Sequence, residues 1–435
     1  MFNRTSGFLQ SHGYRVLCLD FRTMDKDCFN ILRHPAEVCR SGDMEKGLSL
    51  LSDIVNTLAD KERAMTKDIF WTETAVLWLN GTGAIMMDAY PQIEQVNVVN
   101  WGDYNTIDGA DSVQKLLAYM PENTAKAALK QCLSSAENTF RSILITASSL
   151  LAPFGQNPRL AAMVSHSSFT LEDLLKPKTA LYLVTDDTTS TADPILGIIL
   201  RQIQSFLINK AYLRNGGKLQ TRMNFILDEF ASIPIPDMDK ALATHRSRNI
   251  RYYLCIQSMA LLRQRYANPE ALLANCESIL YMGSTELSLL SELEAKLGRT
   301  RITPDGSEKP LCSQAELMTL EKAWNYKEAI YMNLSENIRF CTMLPSIEAY
   351  AIGGRPAAKR CTTPTDVLRY SAADYALDVE RRAAHIPFAS TGDRKRISGR
   401  YPEPEMTYTD EADYLSWSRR RRRPSSFFTD SGNKH

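Results

Sequence analysis

Three short segments carry residue types and spacings that could do chemistry. The first is MNFILDEFASIP, from Met223 to Pro234, in which a run of residues that favour burial ends in two adjacent acids, Asp228 and Glu229. An unpaired charge is costly to bury, so acids placed immediately after such a run belong at an exposed strand end. This is the pattern of a Walker B site. Asp228 is placed to hold a water of a magnesium shell, an ion that prefers oxygen ligands. Glu229, leaving the strand at a different angle, is placed to polarise an attacking water. The plainer alternative is an ordinary acidic strand end. The second segment, YYLCIQS, ends its apolar run just before Gln257, which could orient water or sense a γ-phosphate without adding charge. In a parallel sheet, residues at the carboxyl ends of adjacent strands lie side by side. The third, ALATHRSRNI, presents Arg246 and Arg248 shortly before that strand. A guanidinium is the usual group for stabilising a transferring phosphate from a neighbouring subunit, against the simpler reading of a surface salt bridge.

Composition narrows the partners. The chain has 435 residues, 44% hydrophobic and 23% charged, with a formal net charge of +1. That is ordinary globular composition, and the length suggests two domains with appendages. Near-neutral charge excludes a protein that coats nucleic acid through its overall field, so any such contact must come from local patches. The nine cysteines are scattered and never spaced C-x-x-C, and the six histidines include no HExxH. Neither a disulfide framework nor a His/Cys metal site is expected, and the cysteines read as thiols of a reducing compartment. No apolar run reaches the ~18–20 residues needed to span a bilayer. The longest, Ala75 to Met87, is interrupted by Asn80, Gly81, Thr82 and Gly83. No signal-peptide pattern opens the chain, which reads as a cytosolic one.

The elements that must position the three segments can be read from periodicity. Apolar runs at Tyr14–Leu19, Ala180–Val184, Met223–Leu227, Ile250–Ile256, Ser278–Met282 and Ala329–Leu334 predict strands buried on both faces. Amphipathic stretches at Pro194–Leu213, Met238–Arg248, Met259–Tyr266 and Leu287–Leu297 predict helices between them. Repeated strand and helix imply an α/β fold, a parallel sheet flanked by helices. From about Asp68 to Phe154 the periodicity is helical throughout, including KDIFWTETAVLWL, DSVQKLLAYM and TFRSILITASSLLAPF. Too long for one crossover, this stretch predicts an inserted all-α domain. The expected organisation is 1–67 for the first part of the main domain, 68–155 for the helical insert, 156–353 for the rest of the main domain, and 354–435 for a basic, poorly ordered tail. The tail contains Arg419–Arg423, five arginines in a row, either a solvated stretch or a patch for nucleic acid or anionic lipid.

In combination these segments resemble the type IV secretion coupling proteins, the TraG/TraD-like conjugative DNA-transfer ATPases. FILDEFASIP, KALATHRSRNIRYYLCIQSMALL and ANCESILYMGSTELSLLSELEAKLGRT follow one another as that family's motifs do. Upstream, GYRVLCLDFR with CFNIL, KDIFW, RSILITASSLLAPF and KTALYLVTDD also fall in order, so the resemblance covers roughly residues 5–350. It implies a RecA-like P-loop NTPase motor with an all-α insert that recognises DNA or the cargo complex. It implies ATP and Mg as cofactors, Asp228 as the water-mediated magnesium residue, Glu229 as catalytic base, Gln257 as the glutamine motif and Arg246 as the finger reaching the next subunit's nucleotide. It further implies a homo-hexamer at the cytoplasmic face of the plasma membrane that recruits relaxase-bound single-stranded DNA to the secretion channel. One departure stands out. There is no GxxxxGK[ST], and Gly81, Thr82, Gly83 has no lysine. That loop cradles phosphates through backbone N–H groups and its lysine. In the family it precedes, with the membrane helices, the point where this chain begins, so the chain is expected to be N-terminally truncated and weakly active or inactive alone. Alternatives are a non-catalytic cargo-binding fragment, or a related hexameric DNA translocase or helicase.

Overall fold

The computed structural model describes residues 1–385 except 187–191, 233, 234, 236, 301–307, 334, 351, 353–355 and 358–365. The arginine run Arg419–Arg423 lies outside the described residues. The larger strands are β1 (Arg15–Asp20), β2 (Thr179–Val184), β3 (Met223–Leu227), β4 (Ile250–Leu254), β5 (Ser278–Tyr281), β6 (Tyr326–Asn333) and β7 (Ile338–Pro345). β1 pairs with β2 in parallel, Arg15 opposite Thr179, and β3 with β4, Met223 opposite Ile250. The remaining three form an antiparallel sheet in the order β5, β6, β7. Six of the seven strands fall where the apolar runs predict them, while β7, exposed or half-buried along its length, has no counterpart among those runs. The continuous parallel sheet does not follow: among the described residues the parallel pairing is confined to two separate pairs, and β5 turns to an antiparallel partner. An apolar run specifies a strand, while the direction of its neighbour depends on the path of the connecting chain.

Expected burial on both faces holds for β1, whose Leu17, Cys18, Leu19 and Asp20 are all buried, and fails for β3 and β4. Ile226 and Tyr253, paired in register, are 57% and 50% exposed. Their inner faces are held by one cluster. Phe225 stacks on Tyr252 with ring centroids 4.9 Å apart. The Tyr252 hydroxyl is hydrogen-bonded to His245 Nδ1 at 2.7 Å and accepts from Gln204 Nε2 at 3.1 Å. Gln204 lies on the helix Asp193–Tyr212 and His245 ends the helix Met238–His245, so both helices are fastened to β4 from one side.

Between β1 and β2 every described element is helical. Side-chain caps mark the starts: Asp43, Asn97, Thr106, Asn123 and Asn157 each accept a backbone N–H of the first turn. The central helix, Phe70–Ala89, is buried around most of its circumference, as a core helix must be. Gly81 and Gly83 serve packing in it. A β-carbon at Gly81 would meet Leu129 Cδ2 at 2.7 Å, and one at Gly83 would meet Leu51 Cδ2 at 2.8 Å. Thr82, between them, donates to the Trp78 carbonyl and accepts from Trp101 Nε1.

Met1–Ala384 form one compact unit, and one hydrophobic core runs from β1 through the helical stretch to β3 and β4. The tail departs from expectation. Ala372–His385 is a helix, and the segment before it docks on the helical stretch. Asn97 and Asn100 donate to the Leu368 carbonyl at 3.1 and 3.0 Å, and Tyr370 packs edge-on to Tyr90 at 5.0 Å. Buried Ala372, Tyr375 and Ala376 recur at helical spacing, a local signal that composition averaged over the whole tail conceals.

Two outcomes follow from this packing. Gly81→Val should lower unfolding free energy by about 1–3 kcal/mol, the usual effect of overpacking, read as a lower urea midpoint. Burial pushes His245 down to about 4 from its ordinary 6.5, so it stays neutral while the unfolded chain takes up a proton. Stability should therefore be intact above pH 6.5 and fall, by on the order of 1–3 kcal/mol, as pH drops toward 4. In His245→Gln that part of the acid loss should vanish from the pH series of melts.

Candidate functional site

β3 and β4 are parallel, so their carboxyl ends emerge together. The ladder continues beyond them: Cys255 N–H donates to the Leu227 carbonyl and Phe230 N–H to the Cys255 carbonyl, each at 3.0 Å. Asp228 and Glu229 are the two residues left between those bonds, opposite a single partner, in the manner of a bulge. The backbone turns through the left-handed region, with φ of +58° at Glu229. For a residue with a β-carbon this costs about 1–2 kcal/mol. What holds it is Phe230, buried and stacked on Tyr266 at 4.8 Å. The Tyr266 hydroxyl in turn accepts from Ile235 N–H at 3.2 Å.

Asp228 and Glu229 are consequently exposed. Gln257 Nε2 donates to Glu229 Oε1 at 2.9 Å, joining the two strand ends through side chains. Burial first, and then the Asp228 carboxylate, push the Cys255 thiol up. After Gln257 begins the helix Met259–Arg265. Its first N–H groups are occupied: Glu286 accepts from Met259 and Ala260, both at 3.1 Å, and Ser258 accepts from Leu261 at 3.2 Å. Those donors are therefore satisfied within the chain.

Three of the four sequence-predicted residues, Asp228, Glu229 and Gln257, therefore share one end of the strand pair. Arg246 does not join them. It precedes β4, whose extended length of about 16 Å separates it from Gln257. Its side chain, 73% exposed, pairs with Glu277. Within one chain that is a surface salt bridge. Among the described residues no group of three His, Cys, Asp or Glu side chains is arranged to hold a metal. The exposed Asp228 carboxylate suits a magnesium ion held largely through water. The phosphates find no fit, since the chain offers no glycine-lysine loop.

Residues 1–340 match the model of a family described as Type IV secretory system Conjugative DNA transfer. The chain belongs to that family. The fold is similar to the bacterial conjugative coupling protein TrwBdeltaN70 in its sulphate-bound trigonal form, with a TM-score of 0.51 and 13% identity over 83% of this chain and 76% of that one. Plasmid coupling protein TrwB in complex with the GTP analogue GDPNP gives 0.49 and 14% over 81% and 77%. TrwB with ADP and Mg²⁺ gives 0.47 and 13% over 83% and 76%. No curated protein matches the sequence. The trigonal form shares with this chain a mixed α/β fold. No helix among the described residues is long and apolar enough to cross a membrane.

Sequence reasoning passed over Asp20. This buried carboxylate ends β1 and accepts from Lys26 Nζ at 2.5 Å and from Arg22 N–H at 3.1 Å. Burial opposes its ionisation, but those donors outweigh burial and lower its pKa. The signal was an apolar run ending in an acid, VLCLD, like FILD before Glu229. Its work is to hold the turn after β1.

The left-handed backbone at Glu229 has a measurable consequence. Glu229→Gly should unfold at higher urea than Glu229→Ala by about 1 kcal/mol, because only glycine is free of the β-carbon penalty there. Equal midpoints would show that the turn is not fixed at this geometry in solution.

Proposed function

We propose that this chain is the catalytic body of a coupling-protein motor that moves DNA to a type IV secretion channel, the observation carrying it being the Glu229–Gln257 hydrogen bond at the joined ends of β3 and β4. Glu229 is the general base, able to take a proton from an attacking water, and the Gln257 amide fixes the direction of its carboxylate. Asp228 would hold magnesium through water. When bound, magnesium and ATP supply the γ-phosphoryl group as electrophile. Arg246 is assigned to a neighbouring subunit's nucleotide in a hexameric ring, which requires it to leave Glu277. The helical stretch 68–155 is assigned to recognition of relaxase-bound single-stranded DNA, and the assembly to the cytoplasmic face of the membrane that carries the channel. Phosphate donors would come from polypeptide outside these 435 residues.

A second reading rests on Glu286. With that carboxylate on the helix start after Gln257, the chain could act as a cargo-binding module whose nucleotide site is built elsewhere.

General-base catalysis is worth about 10²–10⁴ in rate, so Glu229→Gln in the native gene should cut plasmid transfer about a hundredfold or more without lowering protein abundance. Wild-type transfer in that variant would sink the motor reading and favour the second. The purified wild-type chain alone should show little or no ATP turnover, with or without DNA.

A further inference from the structure

Opposite the carboxylate site, at the amino ends of β3 and β4, cations gather, and the acid that reaches them, Glu277, is paired with Arg246. The chain from Ile208 to Leu227 contains no Asp or Glu, and neither does His245 to Ser258. The two segments lie against each other. Leu219 N–H donates to the Arg248 carbonyl and Met223 N–H to the Asn249 carbonyl, both at 3.1 Å, while Asn249 Nδ2 donates to the Leu219 carbonyl at 3.1 Å. Arg214, Lys218 and Arg222 from the first segment and Arg251 from the second are all exposed. Among the described residues no ion pair neutralises any of these four.

The platform is fixed before any partner arrives. Arg248 Nη1 donates to the Gly217 carbonyl at 3.1 Å, and its guanidinium lies over the Tyr212 ring, 5.7 Å from the centroid. Gly217 has φ of +63°, and a β-carbon there would come within 2.6 Å of Arg248 Nη1. Tyr212 and Leu213 end their helix 74% and 82% exposed. A cationic surface set around an outward aromatic ring is the combination that binds single-stranded nucleic acid, phosphates on the cations and a base on the ring. An acidic protein or an anionic lipid would need the charge alone.

We propose that residues 210–222, the end of the helix Asp193–Tyr212 and the loop after it, with Arg248 and Arg251, are a contact surface for single-stranded DNA, distinct from the nucleotide site and on the other end of the same strands. The kind of partner rests on the DNA-transfer reading above, whereas the place of the surface does not. With a net charge of only +1 on the whole chain, local clusters such as this one must supply the attraction for a polyanion.

The test is binding of a fluorescent single-stranded oligonucleotide to the purified full chain across a salt series. Lys218→Glu, Arg222→Glu and Arg251→Glu combined should weaken binding at least tenfold. The combination should also lower the slope of log affinity against log salt by about 2, as expected for three lost phosphate contacts on a single strand. The control of equal charge change, Lys309→Glu, Lys322→Glu and Lys327→Glu on the antiparallel side of the chain, should bind within about twofold of its charge-corrected affinity. Tyr212→Ala should weaken single-strand binding about fivefold or more by removing a stacking platform, with little change for duplex of the same length. Unchanged melting curves secure the comparison. Equal loss in triple variant and control, no loss in either, or a wild-type chain that binds anionic vesicles but not DNA would each overturn the surface. If transfer still depends on Glu229 while the Lys218/Arg222/Arg251 variant binds DNA normally, the surface fails and the motor reading survives.

Discussion

The candidate site depends on two backbone hydrogen bonds to one residue. Cys255 donates to Leu227 and accepts from Phe230, so the chain must make room for Asp228 and Glu229 between them. They are pushed out at the strand's end, one of them through a left-handed backbone that would relax without an anchor. Phe230 on Tyr266 is that anchor. An apolar stack behind the acids thus fixes a polar pair in front of them, and Gln257 closes the arrangement from the neighbouring strand.

Everything beneath the strand pair serves the same end. Tyr252 carries a stacking partner on its ring and two hydrogen-bond partners on its hydroxyl, drawing two helices against one strand. Such a buried polar cluster is costly if half satisfied, and here its donors and acceptors match. The opposite face of the pair is different. Ile226 and Tyr253 lie in register and open, so the hydrophobic material of these strands is only half used within the described residues. The two ends also differ, carboxylates at one and uncancelled cations at the other.

Much of this was legible in the sequence because it is written in local pattern. Met223–Leu227 and Ile250–Leu254 are strands because apolar residues run continuously there, and the acids and the glutamine follow them in the chain. The helical stretch was legible for the same reason, its period of 3.6 persisting through many turns. Other features were hidden by local ambiguity. Gly81, Thr82 and Gly83 look like a degenerate phosphate loop in isolation and are a close contact between helices. Asp20 looked like the last residue of a strand and is a buried charge satisfied by Lys26. Residues 366–384 were obscured by the charge of the sequence around them, although Ala372, Tyr375 and Ala376 kept a helical repeat.

The sequence by itself determined where most strands and helices lie, though not Ile338–Pro345 or Ala372–His385, that acids and a glutamine end two consecutive strands, and that the nearest phosphate-loop candidate lacks its lysine. Those are properties of neighbours along the chain, set by side-chain burial and backbone preference. Tertiary structure alone decided which strands pair and in which direction, that Arg246 stands an extended strand's length from Gln257, that Glu286 caps the helix after Gln257, and that two acid-free segments meet as one cationic surface. Each of those depends on residues tens of positions apart arriving within hydrogen-bond distance, which the path of the connecting chain sets and no local pattern encodes.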